Sequence, residues 1–295
     1  MAWQTKNRHH VGGHIQALAL WLVLLGLAIG TASSPGGFGC AGEDKGNDAE
    51  ERKSEVRATR ADEEEGRANP NQPAHSHPAF TQRVEERQRM VERQIEAREV
   101  RDPNVLKAMR TVPRHAFVPE AQRPHAYEDR PLYIGHGQTI SQPYVVAFMT
   151  EALQLDPNSV VLEIGTGSGY QAAACAEIAK EVYTIEIVEP LARSAAELLK
   201  DLGYGDVHVR AGDGYFGWPQ KAPFDAIIGT AAAREVPPPL LEQLKEGGRM
   251  ILPVHAERGF QHLILLTKDE RGQLQRRSVM PVVFVPMTGR IQEPQ

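Results

Sequence analysis

The sequence predicts a doubly wound α/β fold built on a mostly parallel seven-stranded sheet, and three observations carry that expectation. Short apolar runs recur from residue 160 to residue 285, helical segments separate several of them, and a glycine-rich loop follows the first. In chain order the strands are Val160–Ile164, Glu181–Glu186, Asp206–Arg210, Phe224–Ile228, Gly247–Val254, Gln261–Thr267 and Val279–Val285. Helices are expected over Gln171–Lys180, Pro190–Leu202 and Leu240–Leu244, the last opened by Pro237-Pro238-Pro239. Upstream, Val84, Val91 and Ile95 share one helical face before Asp102-Pro103 ends the run, and a second short helix covers Asn104–Arg110. No internal repeat is evident.

The most informative stretch is Val160-Val161-Leu162-Glu163-Ile164-Gly165-Thr166-Gly167-Ser168-Gly169-Tyr170. Glycines after a strand let the chain turn sharply and let a ligand approach the backbone closely. A dinucleotide fingerprint, G-x-G-x-x-G, needs its third glycine where this chain has Tyr170. The pattern with Glu163, Gly165, Gly167 and Gly169 instead resembles the first motif of S-adenosylmethionine-dependent methyltransferases. Glu186 ends the second strand, where an acid in an open α/β sheet faces the ligand crevice and can accept both hydroxyls of a ribose. Asp213, in Gly212-Asp213-Gly214, follows the third strand, and in methyltransferases an acid there meets the adenine amino group. The plainer reading of either acid alone is a loop cap.

A second run, Gly135-His136-Gly137-Gln138-Thr139-Ile140-Ser141-Gln142-Pro143-Tyr144, resembles the signature of the protein-L-isoaspartate (D-aspartate) O-methyltransferase family. The likeness continues through Phe224-Asp225-Ala226-Ile227-Ile228, Leu244-Lys245-Glu246-Gly247-Gly248-Arg249 and Phe284-Val285-Pro286-Met287-Thr288-Gly289, and covers residues 84 to 290. The chain departs from the family at Val283, where an arginine often precedes Phe-Val-Pro. The resemblance implies an S-adenosylmethionine-dependent methyltransferase fold with an N-terminal helical cap over the cofactor crevice. It implies methyl transfer from S-adenosyl-L-methionine to the free α-carboxyl of L-isoaspartyl and D-aspartyl residues in damaged proteins and peptides, and a monomeric enzyme. It places the active-site serine at Ser141 beside Thr139. It gives Glu163 the methionine end of the cofactor, Gly165, Gly167 and Gly169 its close approach, Glu186 the ribose, and Asp213 with Gly214 the adenine. Two other readings stay open: another carboxyl methyltransferase, and an exported S-adenosyl-ligand-binding protein without turnover.

The chemistry fits these residue types. Methyl transfer from a sulfonium is an in-line displacement, and a carboxylate acceptor is already ionised at neutral pH, so no general base is required. Hydroxyl donors such as Thr139 and Ser141 can orient a carboxylate without a strong ion pair. The small-residue loop Gly229-Thr230-Ala231-Ala232-Ala233 lacks the Asn/Asp-Pro-Pro-aromatic grip typical of nucleic-acid amino-methyltransferases. A net charge of −5 gives no electrostatic reason to expect nucleic acid. His75-Ser76-His77 has no partners at ligand spacing, so no metal is expected. Cys175 reads as a buried small residue, and with Cys40 the only other cysteine no disulfide framework is indicated.

Four regions follow: a signal-like segment over 1–32, a disordered linker over 33–80, a helical cap with substrate loop over 81–145, and the catalytic domain over 146–295. Lys6 and Arg8 precede the apolar run Ala17–Gly30 and the small residues Thr31-Ala32-Ser33, the layout of a secretory signal. That run is short for a membrane span, and Gly37-Phe38-Gly39-Cys40 is a poor lipoprotein box. Residues 41–79 are charged and poor in large aliphatic groups. The signal layout points to export, while the implied cofactor is cytosolic and family members often begin near Met90. The cytoplasm is the expected location, with the periplasm or exterior as the alternative.

Overall fold

The computed structural model describes residues 75–256 and 259–292. The signal-like run, Cys40 and the linker up to residue 74 lie outside the described residues. The N-terminal part of the described chain holds helix α1 (Val84–Met90), a π turn at Val91–Ile95 and helix α2 (Pro103–Thr111). Asp102 starts α2 by accepting from the amides of Asn104 (2.8 Å) and Val105 (3.1 Å), with Pro103 at the first helical position. A two-stranded antiparallel hairpin, β1 (Leu132–Gly135) and β2 (Gln138–Ile140), leads into helix α3 (Pro143–Leu153).

The main sheet has seven strands, as expected. They are β3 (Val160–Ile164), β4 (Glu181–Glu186), β5 (Val207–Ala211), β6 (Phe224–Gly229), β7 (Leu244–His255), β8 (Gln261–Lys268) and β9 (Leu274–Val282), in the spatial order β5-β4-β3-β6-β7-β8-β9. The first five are parallel, and β8 and β9 close one edge as antiparallel hairpins. Helices α4 (Tyr170–Ala176), α5 (Glu189–Asp201) and α6 (Pro238–Gln243) complete the fold. Central strands covered on both faces must be apolar along their whole length, and in β3 Val161 to Ile164 are all buried, Glu163 included. The chain crosses from β3 to β4 on one side and to β6 on the other. This topological switch point opens a crevice at the C-terminal end of β3, where the glycine loop sits.

Five expectations are corrected. The linker ends before residue 75 rather than at 80: Pro78–Phe80 form a 3-10 turn, Phe80 is buried, and its ring lies 4.3 Å from that of His75. Arg87 Nη2 donates to the Phe80 carbonyl at 2.7 Å, and His75 pairs with the buried Glu177 at 3.2 Å. The boundary at 145/146 falls inside α3, whose apolar face joins the same core as the sheet. Helices α1 and α2 do not cover the crevice. Their buried residues Met90, Val105 and Met109 belong to the core shared with α3 and α4, and only the hairpin end of the cap reaches the cleft. The last strand runs Leu274–Val282 instead of Val279–Val285, because Phe284 leaves the ladder to pair with a side chain. Its amide donates to Gln261 Oε1 (2.6 Å) and its carbonyl accepts from Gln261 Nε2 (3.1 Å). The helix after the glycine loop is also shorter than expected, ending at Ala176 in a turn where the amides of Ile178 and Ala179 both donate to the Cys175 carbonyl. Cys175 itself is buried and unpaired by sulfur.

Candidate active site

The crevice is walled by the end of β3, the glycine loop, the end of β4, the β2–α3 connection and a C-terminal stretch at 285–288. Seven of the residues singled out in the sequence line it: Thr139, Ser141, Glu163, Gly165, Gly167, Glu186 and Gly214. Two do not. Gly169 caps the start of α4 at φ +89°, and a Cβ there would crowd Leu199 at 3.0 Å. Asp213 holds backbone instead: Oδ1 accepts from the Tyr215 amide (2.9 Å) and Oδ2 from the Arg290 amide (2.7 Å), which fastens the C-terminal segment.

Glu163 is wholly buried, and register places it opposite Thr184 of β4. Thr184 donates to Glu163 Oε2 at 2.5 Å, and the Thr166 hydroxyl lies 2.6 Å from that of Thr184. Among the described residues Glu163 Oε1 has no hydrogen-bond partner. Burial, reinforced by the nearby Glu186 charge, pushes the Glu163 carboxyl up to about 8. An unpartnered buried carboxyl oxygen in a cleft is a ready receptor for a cationic ligand group.

Glu186 organises the loop around it. Its Oε2 accepts from the Gly167 amide (2.8 Å) and its Oε1 from the Val188 amide (2.9 Å), tying the glycine loop to the turn that starts α5. Gly165 is required twice over: its φ is +98°, and an added Cβ would lie 2.4 Å from Thr230 Oγ1. That hydroxyl donates to the Gly165 carbonyl, and the Thr230 amide to the Ile164 carbonyl at 2.9 Å. Thr230 therefore locks the loop from the β6 side, while the main chain of Ala232 pairs with Val285 and Met287. The 229–233 loop binds main chain on three sides: Thr230 that of the glycine loop, Ala232 that of the C-terminal segment, and Ala233 that of β7 at Pro253 and His255.

Thr139 and Ser141 stand on the opposite wall. Among the described residues neither hydroxyl has a protein hydrogen-bond partner. The Ser141 carbonyl accepts from Nη2 of Arg114 at 2.7 Å. Arg114 is wholly buried, with Nε donating to the Ala126 carbonyl (2.8 Å) and its guanidinium 4.8 Å over the Tyr170 ring. Burial lowers its pKa to about 10, so it remains a cation at neutral pH. His115 is buried against Tyr127 OH at 2.8 Å, and burial lowers its pKa to about 4. No role for Arg114 or for the 285–288 wall follows from the sequence alone. Phe284–Gly289 carries the one signal for that wall, as part of the family likeness.

The sequence profile of the protein-L-isoaspartate (D-aspartate) O-methyltransferase family matches residues 85–292. The chain belongs to that family. A protein-L-isoaspartate O-methyltransferase from Opitutus terrae is 59% identical over 214 residues, covering 72% of this chain and 91% of that protein. One from Syntrophobacter fumaroxidans is 60% identical over 188 residues, covering 64% and 76%. Among solved structures, a protein-L-isoaspartate O-methyltransferase superposes with a TM-score of 0.62 at 31% identity, over 66% of this chain and 64% of that one. A Plasmodium falciparum structure described as a member of the same family, in complex with S-adenosyl-L-homocysteine, gives a TM-score of 0.60 at 26% identity, over 68% and 98%. The crevice at the end of β3 is the place to test for an S-adenosyl ligand in this chain. The orphaned Glu163 oxygen and the bare glycine backbone suit one.

Proposed function

We infer that this protein methylates the free α-carboxyl of L-isoaspartyl and D-aspartyl residues in damaged proteins and peptides, using S-adenosyl-L-methionine. The observation that carries the site assignment is the pairing of two walls across one cleft: a glycine loop with a buried acid on one side, and two unpartnered hydroxyls on the other. When bound, the cofactor supplies an electrophilic methyl group on a sulfonium. Glu163 would hold the cationic end of its methionine portion, and Gly165 and Gly167 would let it lie against the backbone. Glu186 would accept from its ribose hydroxyls, each carboxylate oxygen keeping a lone pair beyond its amide bond. Ile187, 41% exposed at the lip of the cleft, would meet the base.

Ser141 and Thr139 donate hydrogen bonds to the acceptor carboxylate and hold one oxygen in line for displacement. Positioning of this kind, with no proton to abstract, is the residues' whole chemical task. The enzyme acts as a cytoplasmic monomer, where its cofactor is made, and takes neither nucleic acid nor membrane as partner. Among the described residues no helix is long and apolar enough to cross a membrane. Ser141→Ala tests the site. Turnover on an isoaspartyl peptide should fall at least tenfold while cofactor affinity stays within about twofold, the pattern of an interaction made by the acceptor alone. Equal loss of both would move Ser141 out of the acceptor's contacts.

A further inference from the structure

Beside the cleft lies a second cavity of about 630 Å³, within the roughly 300–1,000 Å³ of pockets that bury small ligands. Thr139, Ser141, Thr230 and Val285 line both, so the two spaces meet at the acceptor hydroxyls. Its far wall is apolar: Met280, Val282 and Phe284 run along the edge of the sheet, with Phe260 and Val283 at the rim. Phe260 is 65% exposed and Val283 94%, the two most exposed of the large apolar side chains at this surface. Exposed aliphatic and aromatic groups gathered beside a site mark a surface that something covers. Among the described residues the lining has one charged side chain, Arg98, which pairs with Asp129 and lies 4.9 Å over the Tyr144 ring.

We propose that this groove receives the acceptor polypeptide, and that Phe260 and Val283 select a large apolar side chain flanking the isoaspartyl residue. The inference rests on the activity inferred above. Thr139 and Ser141 fix where the acceptor carboxylate must be, the first cleft is walled by the glycine loop and Glu186, and so the rest of the polypeptide lies in the space on the other side of those hydroxyls. The described lining offers an acidic or basic flank no free partner, while burial of a leucine-sized group against Phe260 and Val283 is favourable.

The test compares isoaspartyl pentapeptides that differ only in the flanking residues, set to Leu, Gly, Lys or Glu. Wild-type protein should favour the Leu peptide over the Gly peptide by about tenfold in kcat/KM, the difference lying in KM, with Lys and Glu no better than Gly. Val283→Asp and Phe260→Ser should each collapse the Leu-to-Gly ratio toward one. Both side chains are exposed, so a melting temperature near that of wild type separates this from unfolding. Equal kcat/KM for Leu and Gly peptides in the wild type, or an unchanged ratio in both variants, overturns the groove assignment and leaves the activity standing. Absence of methylation on every isoaspartyl peptide overturns the activity and the groove with it.

Discussion

Arg114 Nη2 donates to the carbonyl oxygen of Ser141 at 2.7 Å from a fully buried position. The same guanidinium binds the Ala126 carbonyl, so one cation ties the segment before the hairpin to the residue after it. Arg87 offers a control of matched chemistry elsewhere. It is 3% exposed and donates to the carbonyls of Phe80 (2.7 Å) and Arg110 (2.5 Å), far from the cleft lining. Each arginine-to-lysine change removes a forked pair of charge-assisted bonds and should cost about 2–4 kcal/mol of stability. Only Arg114→Lys should also lower kcat on an isoaspartyl peptide, by at least tenfold at saturating cofactor. Denaturant melts and steady-state kinetics on both variants check this, and equal kinetic effects would remove Arg114 from a positioning role.

Glu163 supplies a pH dependence of definite sign. Its carboxyl sits near 8 in the folded protein and near the ordinary carboxylate value when unfolded, so the folded state holds the extra proton. That contribution to stability is complete below the unfolded pKa and is lost as pH rises toward and through about 8. Glu163→Gln should flatten this part of the profile for the ligand-free protein, measured by urea melts across pH 5–9. A cation beside Oε1 favours the ionised form, so cofactor affinity of the wild type should rise with pH over the same window, and that of Glu163→Gln should not.

Glu186→Ala should weaken S-adenosylmethionine binding by about 1–3 kcal/mol in calorimetric titration. The loss has two sources: the ribose acceptors, and the carboxylate that holds the Gly167 and Val188 amides. Unchanged affinity would remove Glu186 from the ribose role and leave it a loop brace.

Truncation locates the true start of the folded unit. A chain beginning at Thr81 loses Phe80, whose ring packs between His75 and Tyr204 at 4.3 and 6.2 Å and whose carbonyl binds Arg87. It should melt several degrees below a chain beginning at His75, since removing a buried phenylalanine side chain costs about 3–5 kcal/mol. Equal melting temperatures would make the 75–80 contacts energetically empty.

The parallel core was legible because burial on both faces demands apolar runs, and β3, β4 and β6 are mainly apolar, interrupted inside only by Glu163, Thr184 and Asp225. Spacing placed Glu163 and Glu186 correctly at strand ends, since a two-residue alternation and a fixed crossover decide what faces the crevice. Asp213 shows where such reading stops. Its position after β5 marks it as a ligand acid, but no local pattern announces that its oxygens also hold the amides of Tyr215 and of Arg290, 77 residues away. Arg114 is the converse case. A lone arginine between Pro113 and His115 looks like surface, and only tertiary packing puts it under Ser141. The end of the last strand was misplaced for a similar reason: Gln261, a side chain on the neighbouring strand, satisfies the backbone of Phe284 in place of the ladder.

The central claim is that the Ser141 hydroxyl and the glycine-loop wall together methylate an isoaspartyl carboxylate. Incubation with methyl-labelled S-adenosylmethionine and two peptides of identical sequence, one with isoaspartate and one with normal aspartate, tests it most directly. The displaced carboxylate of the normal peptide, shifted by one methylene, cannot reach the same in-line position. Label should enter the isoaspartyl peptide as a base-labile methyl ester and leave its twin untouched. Equal labelling of the two, or labelling of neither while cofactor binds, would contradict it.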